Sequence, residues 1–148
     1  MSADALRAVA DRLEIIQKMH DYAFAIDDRD WDLLASVFLP DAVMDVDRHG
    51  TKEGFPAILA TISQVTSELD LTHHIVGNAS VLTLDGDEAT TRCYLWAQHV
   101  LRGTPGGDNY VVGGQYRDRF VRTAQGWRIA HRTLTGLWTD GNPRVRNL

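Results

Sequence analysis

The stretch HIVGNASVLTLDGDEATTRCYLWAQHVLRG (residues 74–103) decides the fold. Two runs rich in Val, Leu, Thr, Tyr and Trp flank Asp85-Gly86-Asp87, the signature of a β-hairpin. A second strand pair follows in YVVGGQYRDRFVRTAQGWRIAHRTLTGLW (110–138), with its turn near Ala124–Gly126. The glycines of VVGGQY lie between strand-like runs with no helix after them, so they mark a bulge or tight sheet bend. GTPGGDN (103–109) is the loop between the two hairpins, and the tail from about residue 139 to 148 is expected to be loose.

Upstream of the strands the period changes to that of helices. Leu13, Ile16, His20, Ala23 and Asp27 form one line, and Ile15, Met19, Tyr22 and Ile26 run beside it. Together they make the wide stripe that a globular helix buries. Asp30 caps a second helix through WDLLASVF, which Pro40 ends. DAVMDV (41–46) reads as a strand and 47–53 as a polar connection. FPAILATISQVTSEL (55–69) reads as a third helix, with Pro56 in its first turn. Helices followed by long antiparallel strands predict an α+β fold: one curved sheet with helices on a single face and a ligand pocket between the layers.

The chain has 148 residues, 44% hydrophobic and 24% charged, which suits one domain spanning 1–148. A net charge of −5 without a Lys/Arg cluster argues against nucleic-acid binding. No apolar run is long enough for a bilayer, and Asp4, Arg7, Asp11, Arg12 and Glu14 interrupt any secretory signal. Cys93 is the only cysteine, which fits a reducing cytoplasm.

Three features stand out chemically. Asp27 continues an apolar line, where a carboxylate is costly unless paired; otherwise it is a helix-end acid bending to water. Asp28, Asp30 and Asp32 suit a solvated helix joint. His73 and His74 are adjacent on a strand, so they point to opposite faces and cannot share one pocket. If Val76 and Leu82 face inward, so does His74, unless Gly77-Asn78 bulges. Arg132 shares a strand face with Ala130, Leu134 and Trp138, where it either snorkels out or holds an anion. His131, Trp127 and Ile129 fall opposite. HExxH, CxxC, the phosphate loop and GxGxxG are all missing from the sequence, so neither metal nor cofactor is expected.

YAFAIDDRDWDLLASVFLPDAVMDV (22–46), HHIVGN (73–78), DGDEATTRCYLWAQHV (85–100) and GGQYRDRFVRTAQGWRIAHRTL (113–134) together resemble the SnoaL-like branch of the nuclear transport factor 2-like superfamily. Within it the motifs are similar to those of scytalone dehydratase, hexachlorocyclohexane dehydrochlorinase and bile-acid 7α-dehydratase. The resemblance implies a cone: a curved mixed sheet wrapped around three helices. It places the family's Asp on Asp27, in D-x-x-D-W with Asp30-Trp31, and the family's His on His74. Tyr22 matches a tyrosine of the bile-acid enzyme and Arg132 an arginine of the dehydrochlorinase. The dehydrochlorinase has a lysine at Tyr22 and a tryptophan at Met44. Scytalone dehydratase has a second histidine near Val111–Gly113, where this chain has none.

The function so implied is a cofactor-independent lyase, a dehydratase or dehydrohalogenase. Asp27 orients His74 as general base, and Tyr22 and Arg132 assist the leaving group. Phe24, Met44, Phe55, Tyr94, Trp96 and Leu134 are the candidate pocket lining for a small hydrophobic substrate. The alternatives are an isomerase of ketosteroid-isomerase type, which uses the same base, and a non-catalytic binder of small molecules. Membership of this superfamily also implies a homodimer or homotrimer.

Overall fold

The computed structural model describes residues 1–147. The helices are α1 (Ala3–Asp28), α2 (Trp31–Val37) and α3 (Phe55–Thr66). The strands are β1 (Phe38–Val46), β2 (Gly50–Glu53), β3 (Leu71–Asp85), β4 (Glu88–Val100), β5 (Asn109–Thr123) and β6 (Gly126–Gly141), followed by a 3-10 turn, Pro143–Arg146. They form one mixed sheet in the order β2-β1-β6-β5-β4-β3, in which β1 runs parallel to β6 and every other pair is antiparallel. The α+β expectation therefore holds. Residues 50–53 are an edge strand pairing with β1, rather than part of a connection.

Local chemistry explains the element ends. The Ser2 side chain accepts the Ala5 N–H and opens α1. Asp30 caps α2 by accepting the Leu33 N–H at 2.9 Å. Between these helices Arg29 takes the left-handed conformation that ends α1. Its guanidinium donates to the carbonyls of Thr66 and Leu69, tying the joint to the end of α3.

The buried stripe of α1 centres on Ile15, Met19, Tyr22 and Ile26, which pack with Tyr116, Phe120, Trp127 and Ile129. The parallel line lies at its edge, and Leu13 is exposed. Bulges curve the sheet and shift its faces. Arg119 pairs with His131 and Phe120 with Ile129, so Ala130 is an extra residue on β6. This brings Trp127 and Ile129 to the same face as Arg132, against the period-two expectation. A second irregularity, with Asn78 at positive φ, lies between Gly77 and Ser80. Beyond it Ala79 and Val81 turn inward, and Leu82 faces out.

A charged cluster pins the start of α1 to the sheet. Asp11 accepts both arms of Arg122 at 2.7 and 2.8 Å and the Trp127 indole N–H at 3.1 Å. The Arg122 hydrogen bonds hold the Asp11 carboxyl down at about 2, with further help from Trp127, although burial opposes the shift. Arg122 also lies over the Trp127 ring at 4.5 Å. Removing one partner of such a pair strands the other's charge. Asp11→Ala is therefore expected to lose about 3 kcal/mol of stability, measured by urea unfolding against wild type.

Candidate active site

Asp27 closes α1, and its carboxylate reaches across to β3. Oδ1 accepts the Thr72 hydroxyl at 2.8 Å and lies 2.7 Å from His74 Nδ1. Oδ2 accepts the main-chain N–H of His74 at 2.8 Å. Burial pushes the Asp27 carboxyl upward, but the hydrogen bonds from the His74 ring, the His74 backbone and Thr72 outweigh it, and the net shift is downward. The acid is thus ionised at neutral pH. An ionised carboxylate can only accept, so His74 Nδ1 carries the proton and Nε2 is the basic nitrogen. Nε2 has no hydrogen-bond partner among the described residues. The pair is enclosed, with side-chain exposures of 9% for His74 and 17% for Asp27. His73 points outward and is exposed.

A second imidazole stands beside the first. His99 on β4 is 4% exposed, and its ring lies edge-on to His74 with centroids 6.3 Å apart. Its Nδ1 bonds the Tyr110 carbonyl at 3.3 Å. Burial, the charge of Arg146 and the proximity of His74 push its pKa down to about 4. His99 is therefore neutral at physiological pH. No histidine occupies 111–113, but β4 supplies one opposite Tyr110. The signal was there: Ala89, Thr91, Cys93, Leu95, Ala97 and His99 alternate along the buried face of β4.

Tyr22 and Arg132 come together with Asp118 and Tyr116. Arg132 is fully buried and donates through Nε and Nη2 to the two Asp118 oxygens, both at 2.8 Å. Its guanidinium lies 4.1 Å from the Tyr22 ring centre and 4.0 Å from that of Tyr116. Arg132 Nη1 is buried without a partner among the described residues. Burial and the neighbouring Tyr22 hydroxyl raise the Tyr116 pKa, so that phenol keeps its proton. Asp118 and the two tyrosine rings thus fix the guanidinium in place.

The candidate lining divides by face. Met44 is buried at 3% exposure, and Phe55 and Leu134 pack against the core. Phe24 is 61% exposed, and Tyr94 and Trp96 are 42% and 46% exposed on the outer face of β4. These three do not line the interior. Trp96 instead meets Trp138 edge to face, at 5.3 Å between ring centres, above Gly113. A Cβ there would collide with the Trp138 ring, so glycine makes room for this outer-wall pair.

The described residues contain no helix long and apolar enough to cross a membrane and no group of three or more metal-ligating side chains. The model for the SnoaL-like domain matches residues 7–133. The chain belongs to the SnoaL-like family. An uncharacterized protein of Mycobacterium tuberculosis strain H37Rv is 41% identical over 131 residues, covering 86% of each chain. Among solved structures, the Kfla4162 protein of Kribbella flavida shares 28% identity, covering 95% of this chain and 99% of that one, with a TM-score of 0.87. Two further structures share the fold. One, from Novosphingobium aromaticivorans, is provisionally described as a scytalone dehydratase, at 21% identity, coverage of 91% and 89% and TM-score 0.82. The other is a hexachlorocyclohexane dehydrochlorinase from Novosphingobium barchaimii, at 19% identity, coverage of 93% and 94% and TM-score 0.82. The fold is the nuclear transport factor 2-like one.

The His99 geometry carries a pH signature. An unfolded chain protonates this histidine near the ordinary value of 6.5, while the folded state refuses the proton down to about 4. Stability is unaffected above 6.5 and falls as the pH drops through that window, by about 3 kcal/mol near pH 4. His99→Gln should lack this loss, visible as a smaller difference between denaturant midpoints at pH 7 and near pH 4.

Proposed function

We propose that this SnoaL-like protein is a cofactor-independent lyase, a dehydratase or dehydrohalogenase, acting on a small hydrophobic molecule. The observation that carries the reading is the Asp27–His74 contact of 2.7 Å, with His74 Nε2 left unengaged. In this reading Nε2 takes a proton from a carbon acidified by a neighbouring carbonyl or good leaving group. The electron pair of the broken C–H bond forms the new double bond, and halide or hydroxide departs. Hydroxide leaves as water only if a proton is supplied, and the Tyr22 hydroxyl is the candidate donor. Arg132 acts through Tyr22: its charge lies against the phenol ring and favours the electron-rich state the phenol approaches as it donates. It is thus a positioning residue.

Ionised Asp27 stabilises the imidazolium formed in this step and fixes the tautomer beforehand. Neutral His99 adds a hydrogen-bonding edge beside His74 without a competing positive charge. A dehydrochlorinase and a protein provisionally described as a dehydratase share this fold, so elimination is among the chemistries it can host. A binder alone has no need of a carboxylate gripped by three donors beside an unengaged imidazole nitrogen.

The test is a panel of β-hydroxy ketones, hydroxylated precursors of aromatic compounds and halocarbons, assayed with wild type, Asp27→Asn and His74→Ala. On whichever compound turns over, both variants should lose about 10³-fold in kcat while keeping a folded circular-dichroism spectrum. Full activity in either variant rules out the dyad as the engine. Proton exchange or double-bond migration without release of water or halide would instead select the isomerase.

A further inference from the structure

The tail expected to be loose is packed: β6 pairs with β5 as far as Gly141, and Val145, 2% exposed, buries against Leu69 and Tyr110. The sheet lies open instead on its outer face, where β1, β6 and β5 run side by side. Pro40 has no N–H to give to a ladder, and the pairing of β1 with β6 slips between Phe38 and Val43. Ala130, the extra residue on β6, falls in the same interval, between Ile129 and His131. Where the two irregularities meet lies a cavity of about 270 Å³. Leu39, Val43, Val121 and Ala130 give it an apolar lining, and Asp41, Arg119 and His131 a polar one.

The three polar residues differ in how they are engaged. His131 is braced: its Nε2 lies 2.7 Å from Asp45 Oδ2, and Asp45 also accepts the Thr51 hydroxyl. Those bonds, Thr51's first and His131's next, hold the Asp45 carboxyl below its ordinary value, so this acid is committed. Asp41 forms no ion pair among the described residues. Arg119 has one, with Glu88 at 3.4 Å, but at side-chain exposures of 49% and 66% such a pair contributes little. An acid and a guanidinium thus line one cavity without closing on each other. The strand between them is the reason: His131 pairs with Val43 of β1 on one side and with Arg119 of β5 on the other. β1 and β5 are therefore two strand spacings, roughly 10 Å, apart. The long Arg119 side chain covers part of that distance. The remainder suits a molecule that carries its own two charges close together. The cavity is just smaller than the roughly 300–1,000 Å³ of sites for drug-sized ligands, so the occupant is small.

We propose that this cavity binds a zwitterion of the α-amino-acid class with an aliphatic side chain. Arg119 donates to the carboxylate, Asp41 accepts from the ammonium, and the aliphatic body lies on Leu39, Val43 and Val121. Neither Asp27 nor His74 lines this cavity, so the site is independent of the lyase reading.

The probes are leucine, leucinamide, which lacks the carboxylate, and isocaproate, which lacks the ammonium. Each is titrated calorimetrically into wild type, Arg119→Gln and Asp41→Asn. Both side chains are exposed, so the variants should keep the wild-type denaturant midpoint. Leucine should saturate wild type in the millimolar range and bind each variant about tenfold more weakly. Leucinamide should bind wild type and Arg119→Gln alike, and isocaproate should bind wild type and Asp41→Asn alike, because each lacks the group that the altered residue holds. Leucine should also shift the His131 ring protons in the NMR spectrum and leave those of His74 in place. No saturation of wild type by millimolar leucine, equal affinity of wild type for the three probes, leucine binding unchanged in either variant, or a shift at His74 rather than His131 overturns the proposal.

Discussion

One carboxylate joins the helical layer to the sheet at the candidate site. Asp27 accepts from the Thr72 hydroxyl, from the His74 ring and from the His74 main chain. The main-chain bond matters as much as the ring contact. It fixes the height of β3 against the end of α1, so the imidazole is aimed before any ligand arrives. Three donors also explain how a carboxylate survives partial burial: its lone pairs are satisfied in place of water.

The rest of the interior follows a similar rule. Asp11 joins Arg122 and Trp127 at the start of α1, and Asp118 joins Arg132 between two tyrosine rings. Each of these two carboxylates is neutralised by an arginine from another element. Such pairs add little net stability compared with apolar packing, but each punishes a wrong register, because a one-residue slip leaves a charge unpaired. The bulge at Ala130 is a case in point. It lets Trp127 reach Asp11 and Arg132 reach Asp118 from one strand face.

Much of the site was legible because its residues broke a pattern. An acid on an apolar helical line, followed by a histidine before an apolar pair and a glycine, is a local anomaly, and Asp27 and His74 do meet. Tyr22 and Arg132 were also singled out, and they also meet, but in a locked stack rather than at an open wall. His99 was overlooked because it obeys the alternation of β4 and so resembles core. Phe24, Tyr94 and Trp96 misled because large aromatic side chains suggest a pocket. Here the concave face of β4 carries small residues, Ala89, Thr91, Cys93 and Ala97, and the convex face has room for indoles.

The amino-acid sequence by itself determined the helices and their caps, the two long hairpins and the α+β class, because periodicity and turn chemistry act between residues near in the chain. Only the tertiary structure decided which strand face is inside beyond each bulge, that residues 50–53 pair with β1, and that the tail packs beside His99. A bulge reverses every later side chain through one extra residue, and strand pairing and the packing of Val145 against Leu69 and Tyr110 depend on partners dozens of residues away. Those choices are set by which charges and side-chain volumes meet in three dimensions, and no local pattern records them.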